Sequence, residues 1–169
     1  MQIDLMDSSV LINVIGIRME AQDVDAVRQG LAERIRGSVR VQIPVAAVIE
    51  TAQHVQRIPA GNGDHRRACA EKLSGVIKDA LRGEAPWAFR GLHWDEALLR
   101  DFLDQAPPVP NYVDAMSTRA HEAGDLLILS ELRRLRASYP QDVVQIGVWT
   151  LDDGLQNIVD QLPGAARRR

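Results

Sequence analysis

Leu5-Met6-Asp7-Ser8-Ser9-Val10-Leu11-Ile12 is the stretch on which the fold turns. Gln2 to Met6 suits a short strand that ends at Asp7, and Ser8 and Ser9 then offer side-chain oxygens that can cap a helix carrying Val10, Leu11 and Val14. The same passage from strand to helix recurs down the chain. Asp23 to Arg36 sets Val24, Val27, Leu31 and Ile35 at near-helical spacing. Gly37-Ser38 breaks that helix, and Val39 to Ile43 is rich in β-branched residues that favour a strand. Pro44 fits the first turn of a third helix. Its expected apolar stripe is Val45, Val48, Ile49 and Ala52, with Glu50 on the flank.

Further on, Ile58 to Asp64 reads as a turn-rich loop and His65 to Leu81 as a helix ending at Gly83. A strand is expected over Ala88 to Trp94, then a helix over Asp95 to Gln105 with Leu98, Phe102 and Leu103 inside. Helices over Tyr112 to Ala123 and Asp125 to Ala137 precede a last strand, Val143 to Thr150, and a helix from Asp153 to Leu162. Strands alternating with helices predict an α/β fold, a three-layer α/β/α sandwich with a mainly parallel central sheet. With 169 residues, one domain is expected over 1–163, followed by a basic tail at 164–169.

Composition narrows the function. A net charge of −3 excludes a polybasic nucleic-acid binder. Local clusters at Arg66-Arg67, at Arg133, Arg134 and Arg136, and at Arg167 to Arg169 could meet phosphates, although solvated helix faces and a tail explain them as well. The longest run without a charged side chain, Ser8 to Ile17, is too short to span a bilayer, so no membrane association is expected. Asp4 and Asp7 interrupt any secretory segment. The single Cys69 excludes an intramolecular disulfide, reads as a buried filler, and suits a reducing, cytoplasmic setting. The four histidines show no zinc-ligand spacing, and the tryptophans read as core or interface.

Four acidic residues flank apolar segments: Asp7, Glu50, Asp125 and Asp152. Carboxylates are seldom buried unless paired or bound to metal. Each has a bland explanation. Asp7 can be an N-cap, Glu50 a solvated helix residue, Asp125 an N-cap, and Asp152 a cap in competition with Asp153. Asp125 nonetheless shares a helical face with Leu129 and Leu132. Asp7 and Asp152 fall just past strand ends, where parallel sheets bind ligands. One shared cleft could hold all four.

Asp7-Ser8-Ser9-Val10-Leu11-Ile12, Pro44 through Glu50, Gly124-Asp125-Leu126-Leu127-Ile128 and Thr150-Leu151-Asp152-Asp153-Gly154-Leu155 occur in an order that resembles PIN domains, the family that includes VapC-type toxins. The resemblance implies a parallel-sheet α/β/α fold and metal-site roles for Asp7, Glu50, Asp125 and Asp152. It implies support from the Ser9 and Thr150 hydroxyls, with Asp153 beside them. The implied activity is hydrolysis of RNA phosphodiesters with Mg²⁺ or Mn²⁺, as a ribonuclease and in one subgroup as the toxin of a type II toxin–antitoxin pair. An RNA substrate, a cognate antitoxin and a homodimer are the implied partners. The interval from Glu50 to Asp125 is longer than in compact toxins, with an extra helical segment expected around 65–94. The alternatives are a non-catalytic PIN-like scaffold that binds RNA or protein, and a small metal-dependent phosphatase. Against the phosphatase, Ser9 stands where an Asp-x-Asp-x-Thr pattern needs its second Asp.

Overall fold

Strands alternate with helices along the chain in the computed structural model, which describes residues 1–18, 20–89, 94–119, 121–140 and 142–163. The elements are β1 (Gln2–Met6), α1 (Ser8–Ile15), α2 (Val24–Arg36), β2 (Arg40–Ile43), α3 (Val45–Arg57), a 3-10 turn (Ala60–Asn62), α4 (Gly63–Arg82), β3 (Trp87–Phe89), α5 (Glu96–Leu103), α6 (Tyr112–Thr118), α7 (Ala123–Ser138), β4 (Gln145–Trp149) and α8 (Asp153–Gln161). The strands form one sheet in the order β3-β2-β1-β4, with every pairing parallel. This is the α/β sandwich the alternation predicts.

Side chains alternate across the sheet because successive Cβ atoms of a strand point to opposite faces. Ile3, Leu5, Ile146 and Val148 pack with Leu126, Leu129 and Leu132 of α7 and with Leu155 and Val159 of α8. Met6, Val41, Ile43 and Trp149 pack on the other face with Val10 and Leu11 of α1 and Val27 of α2. A third cluster, including Ile15, Val55, Leu73 and the buried Cys69, joins α1, α3 and α4. Asp4 is also buried on the α2 side. It accepts from Arg34 Nε at 2.8 Å, and that guanidinium lies 4.0 Å from the centre of the Trp149 ring. A Cβ on Gly30 would stand 3.2 Å from the same indole, so the missing side chain lets α2 approach.

Several local expectations need correction. Of the two cap readings for α1, Asp7 is the cap, and Ser8 and Ser9 are the first helical residues. The buried face of α3 is Ala46, Ala47, Thr51 and Val55, and Ile49 is 46% exposed. Nearly every residue in its first turns is apolar, so periodicity could not select the face; small side chains won, because α3 packs against α1, α4 and α7 together. Leu103, expected inside, is exposed, as is Trp94. The helix expected over 112–123 stops at Thr118, with Arg119 in the left-handed region, and α7 begins afresh at Ala123. The segment read as additional helix around 65–94 is α4 followed by β3. The last part of the expected third strand, residues 90–93, and the basic tail, 164–169, lie outside the described residues. No described helix is long and apolar enough to cross a membrane.

Connections from β1 to β2 to β3 run one way, and the next returns to the far side of β1. The crevice beyond the carboxyl ends of β1 and β4 is therefore the switch point where such sheets bind ligands.

Candidate active site

Asp7 leaves β1 with its N–H still paired to the Trp149 carbonyl at 3.0 Å, which carries the β1–β4 pairing into the crevice. The backbone there is extended, so the side chain turns back over the start of α1. Oδ1 accepts from Ser8 N at 2.7 Å; Oδ2 accepts from Ser9 Oγ at 2.6 Å and Thr150 Oγ1 at 2.8 Å. Each hydroxyl also accepts a backbone N–H, Ser9 Oγ from Leu151 at 3.0 Å and Thr150 Oγ1 from Asp152 at 2.9 Å. Both hydroxyl protons are committed to Asp7. The turns after β1 and β4 are thus tied to a single carboxylate. Asp152 follows, with Oδ1 accepting from Leu155 N at 2.7 Å as the cap of α8. Asp153, expected in support, is the exposed first residue of that helix.

Asp125 arrives from the first turn of α7. Its Oδ2 accepts the Glu122 N–H at 3.0 Å, while the Glu122 side chain accepts from the Asp125 backbone, a reciprocal capping box with an acid at each end. His121 Nδ1 stands 3.8 Å from the same oxygen. Burial pushes the Asp125 carboxyl up to about 7; the Glu122 N–H works against this, and the charges of Asp7, Asp152 and Glu122 add to it.

Glu50 comes from α3, three and four residues beyond the buried Ala47 and Ala46 and so on their face. It is not the solvated flank residue that spacing suggests. Burial pushes its carboxyl up to about 8, helped by a hydrogen bond shared with the Glu122 carboxyl and by the charges of Asp7 and Glu122, with Ser8 opposing. Among the described residues, Oε2 is sealed from solvent with no hydrogen-bond partner.

Gly124 makes the seat for Glu50. A Cβ there would overlap Glu50 Oε2 and lie 3.0 Å from Cδ. The obstructing group is the end of a flexible side chain, so Gly124→Ala is expected to fold with stability within about 1 kcal/mol of the parent, helped by the better helix propensity of alanine. Glu50 is expected to swing out and titrate nearer an ordinary carboxyl. Carboxyl-carbon NMR titration checks this, and a variant in which Glu50 still titrates near 8 would show that Gly124 does not seat it.

Charge links the four expected acids in a series. Glu50 and Asp125 both feel the charge of Asp7, and Asp125 feels that of Asp152. Sequence reasoning missed Glu122 and His121. The Glu-x-x-Asp spacing of a capping box could have found the first; His121 is singled out only by the turn that precedes α7. His54, four residues from Glu50, pairs instead with Glu20 at 2.7 Å.

As the side chains are placed, no three His, Cys, Asp or Glu groups among the described residues are spaced to hold one ion. The donor chemistry still fits a hard divalent cation. All of it is carboxylate oxygen, one buried oxygen has no partner, and the clustered acids repel one another in the way positive charge relieves. Comparison with family models, with curated proteins and with solved structures returns no match for the chain.

Proposed function

We propose that the chain is a PIN-like ribonuclease that hydrolyses RNA phosphodiester bonds with Mg²⁺ or Mn²⁺. The observation that carries the reading is that Glu50 and Asp125 each feel the charge of Asp7, and Asp125 that of Asp152, at the switch point of a parallel sheet, with Asp7 fixed by two hydroxyls. Asp7, Asp125 and Asp152 would hold the cation, with Glu50 at the edge of the site. When bound, it supplies positive charge for the phosphoryl oxygens and makes an attacking water more acidic. The chain's own residues do the rest. Ser9 and Thr150 aim the Asp7 carboxylate, and the Glu122 N–H aims Asp125. Glu50, whose carboxyl burial pushes up to about 8 in the cation-free cleft, can hold a proton there and offer it as a hydrogen bond.

A narrower form of the proposal is the toxin of a type II pair, acting in a reducing cytoplasm and held by a cognate antitoxin. Leu99 and Leu103, one turn apart on α5, and Val113 on α6 are exposed, apolar surface of the kind an antitoxin or a second copy covers. A non-catalytic RNA- or protein-binding scaffold is favoured by one specific fact: Asp125 and Asp152 already serve as helix-capping groups.

Asp152→Asn separates the two, because asparagine caps as well as aspartate. Mixed RNA is incubated with Mn²⁺, Mg²⁺ or EDTA and either protein, purified identically. The nuclease reading expects cation-dependent cutting that falls on the order of a hundredfold or more in the variant, with an unchanged melting curve. Equal cutting by both indicates a contaminating ribonuclease. RNA binding without cutting, indifferent to the substitution, is the scaffold result.

A further inference from the structure

A second feature adjoins the acidic cleft without belonging to it. A pocket of about 250 Å³ is walled by Ile49 and Gln53 of α3, Leu127 of α7 and Trp94 ahead of α5, with Glu50 and Glu122 on the side shared with the cleft. Ile49 and Trp94 are 46% and 51% exposed, a large apolar area to leave in water beside a polar site. We propose that this pocket is a subsite for one unpaired nucleobase of the RNA, stacked on Trp94 and read at its edge by the Gln53 amide; the proposal rests on the ribonuclease reading.

Size and chemistry select that occupant. Pockets for drug-sized ligands hold roughly 300–1,000 Å³, so this one suits a single flat ring rather than a larger ligand. An indole face offers stacking that every base can use. Gln53 brings one donor group and one acceptor, the pair that reads a base edge. An aliphatic side chain of a protein partner would cover the apolar walls but strand the amide and the carboxyls without partners. A phosphate would meet two acids. A neutral, polar-edged ring satisfies all the walls, and Glu50, common to pocket and cleft, keeps it beside the acids.

The test uses the full chain as wild type, Trp94→Ala, Trp94→Phe and Gln53→Leu. Random-sequence single-stranded RNA is cut with Mn²⁺ and the ends are sequenced, and kcat and KM are measured on a short RNA. Wild type is expected to enrich one base at a fixed distance from the cut. Trp94→Ala is expected to lose about tenfold in kcat/KM through KM, the effect of removing one stacked base. Trp94→Phe should recover most of that loss, which excludes misfolding as its cause, and Gln53→Leu should flatten the base enrichment.

Cutting by Trp94→Ala with wild-type kcat/KM and an unchanged sequence profile overturns the subsite and leaves the nuclease standing. If wild type cuts no RNA, the nuclease reading fails by itself. The subsite is then decided by anisotropy of a fluorescein-labelled single-stranded RNA in EDTA: weaker binding by Trp94→Ala upholds it and equal binding overturns it. Loss of self-association in Trp94→Ala with unchanged RNA affinity also overturns it, assigning the pocket to contact between copies.

Discussion

Asp125→Asn is expected to lower RNA cleavage on the order of a thousandfold or more while leaving the cation-free protein at least as stable as the parent. The amide keeps an oxygen that can accept the Glu122 N–H, so the capping box survives. What disappears is a negative charge that burial, Asp7, Asp152 and Glu122 all disfavour. The sign of the pH dependence follows. The Asp125 carboxyl titrates near 3.8 when unfolded and near 7 when folded. Below both values the two states carry the same proton and nothing is at stake. Between them only the folded chain holds the proton, so the parent loses stability as pH rises through that window and then levels off. Glu50 acts with the same sign between 4.5 and about 8. Melting in EDTA should therefore show Asp125→Asn gaining on the parent from pH 5 to pH 8, by about 1 kcal/mol, or roughly 2–4 °C for a chain of this size. A lower midpoint at both values would mean that the charge itself holds the start of α7, and would count against the site.

Asp7→Asn is expected to fail on both counts. Asp7 is 2% exposed, and its two oxygens accept from Ser8 N, Ser9 Oγ and Thr150 Oγ1. An amide nitrogen in place of Oδ2 would face two hydroxyl donors; in place of Oδ1 it would face the Ser8 N–H. The first arrangement gives up two charge-assisted hydrogen bonds and makes both hydroxyls turn round and accept, and the second sets a buried donor against a donor, at about 1–3 kcal/mol either way. Activity should fall at least as far as in Asp125→Asn, with a melting midpoint lower by roughly 2–12 °C. An Asp7→Asn protein of parental stability would show that the hydroxyls hold the turn without the carboxylate. The two variants together distinguish a carboxylate that builds the cleft from one the fold tolerates for chemistry.

How far the chain could be read depends on where its signals are local. β1 and the last strand were legible because apolar residues stop abruptly at Asp7 and at Thr150-Leu151-Asp152. The cap at Gly83 and the buried Leu129 and Leu132 beside Asp125 were equally plain. The face of α3 was not, since Val45 to Ile49 is apolar all round and only three neighbouring helices decide which side is covered. That rotation matters, because it carries Glu50 from solvent to the cleft. Ser9 and Thr150 entered through a resemblance, and their pairing on one carboxylate oxygen needs strands 141 residues apart to be side by side. Glu122 stayed hidden because it reads as part of a helix over Tyr112 to Ala123, whereas it caps the next helix. Trp94, expected in the core or at an interface, is half exposed, which nothing in the sequence shows.

The pairing of β1 with β4 also sets an order in time. β1 lies next to β4 from Gln2 opposite Gln145 to Met6 opposite Trp149, and Thr150 follows Ser9 by 141 residues. At synthesis rates of about 5–20 residues per second, Asp7 leaves the ribosome roughly 7–30 s before the hydroxyl that aims it. A nascent chain during that interval carries Asp7, then Glu50 and late in it Asp125, without the cleft and without Asp152. Any activity housed there is withheld from the message being translated until β4 has emerged and slid in beside β1.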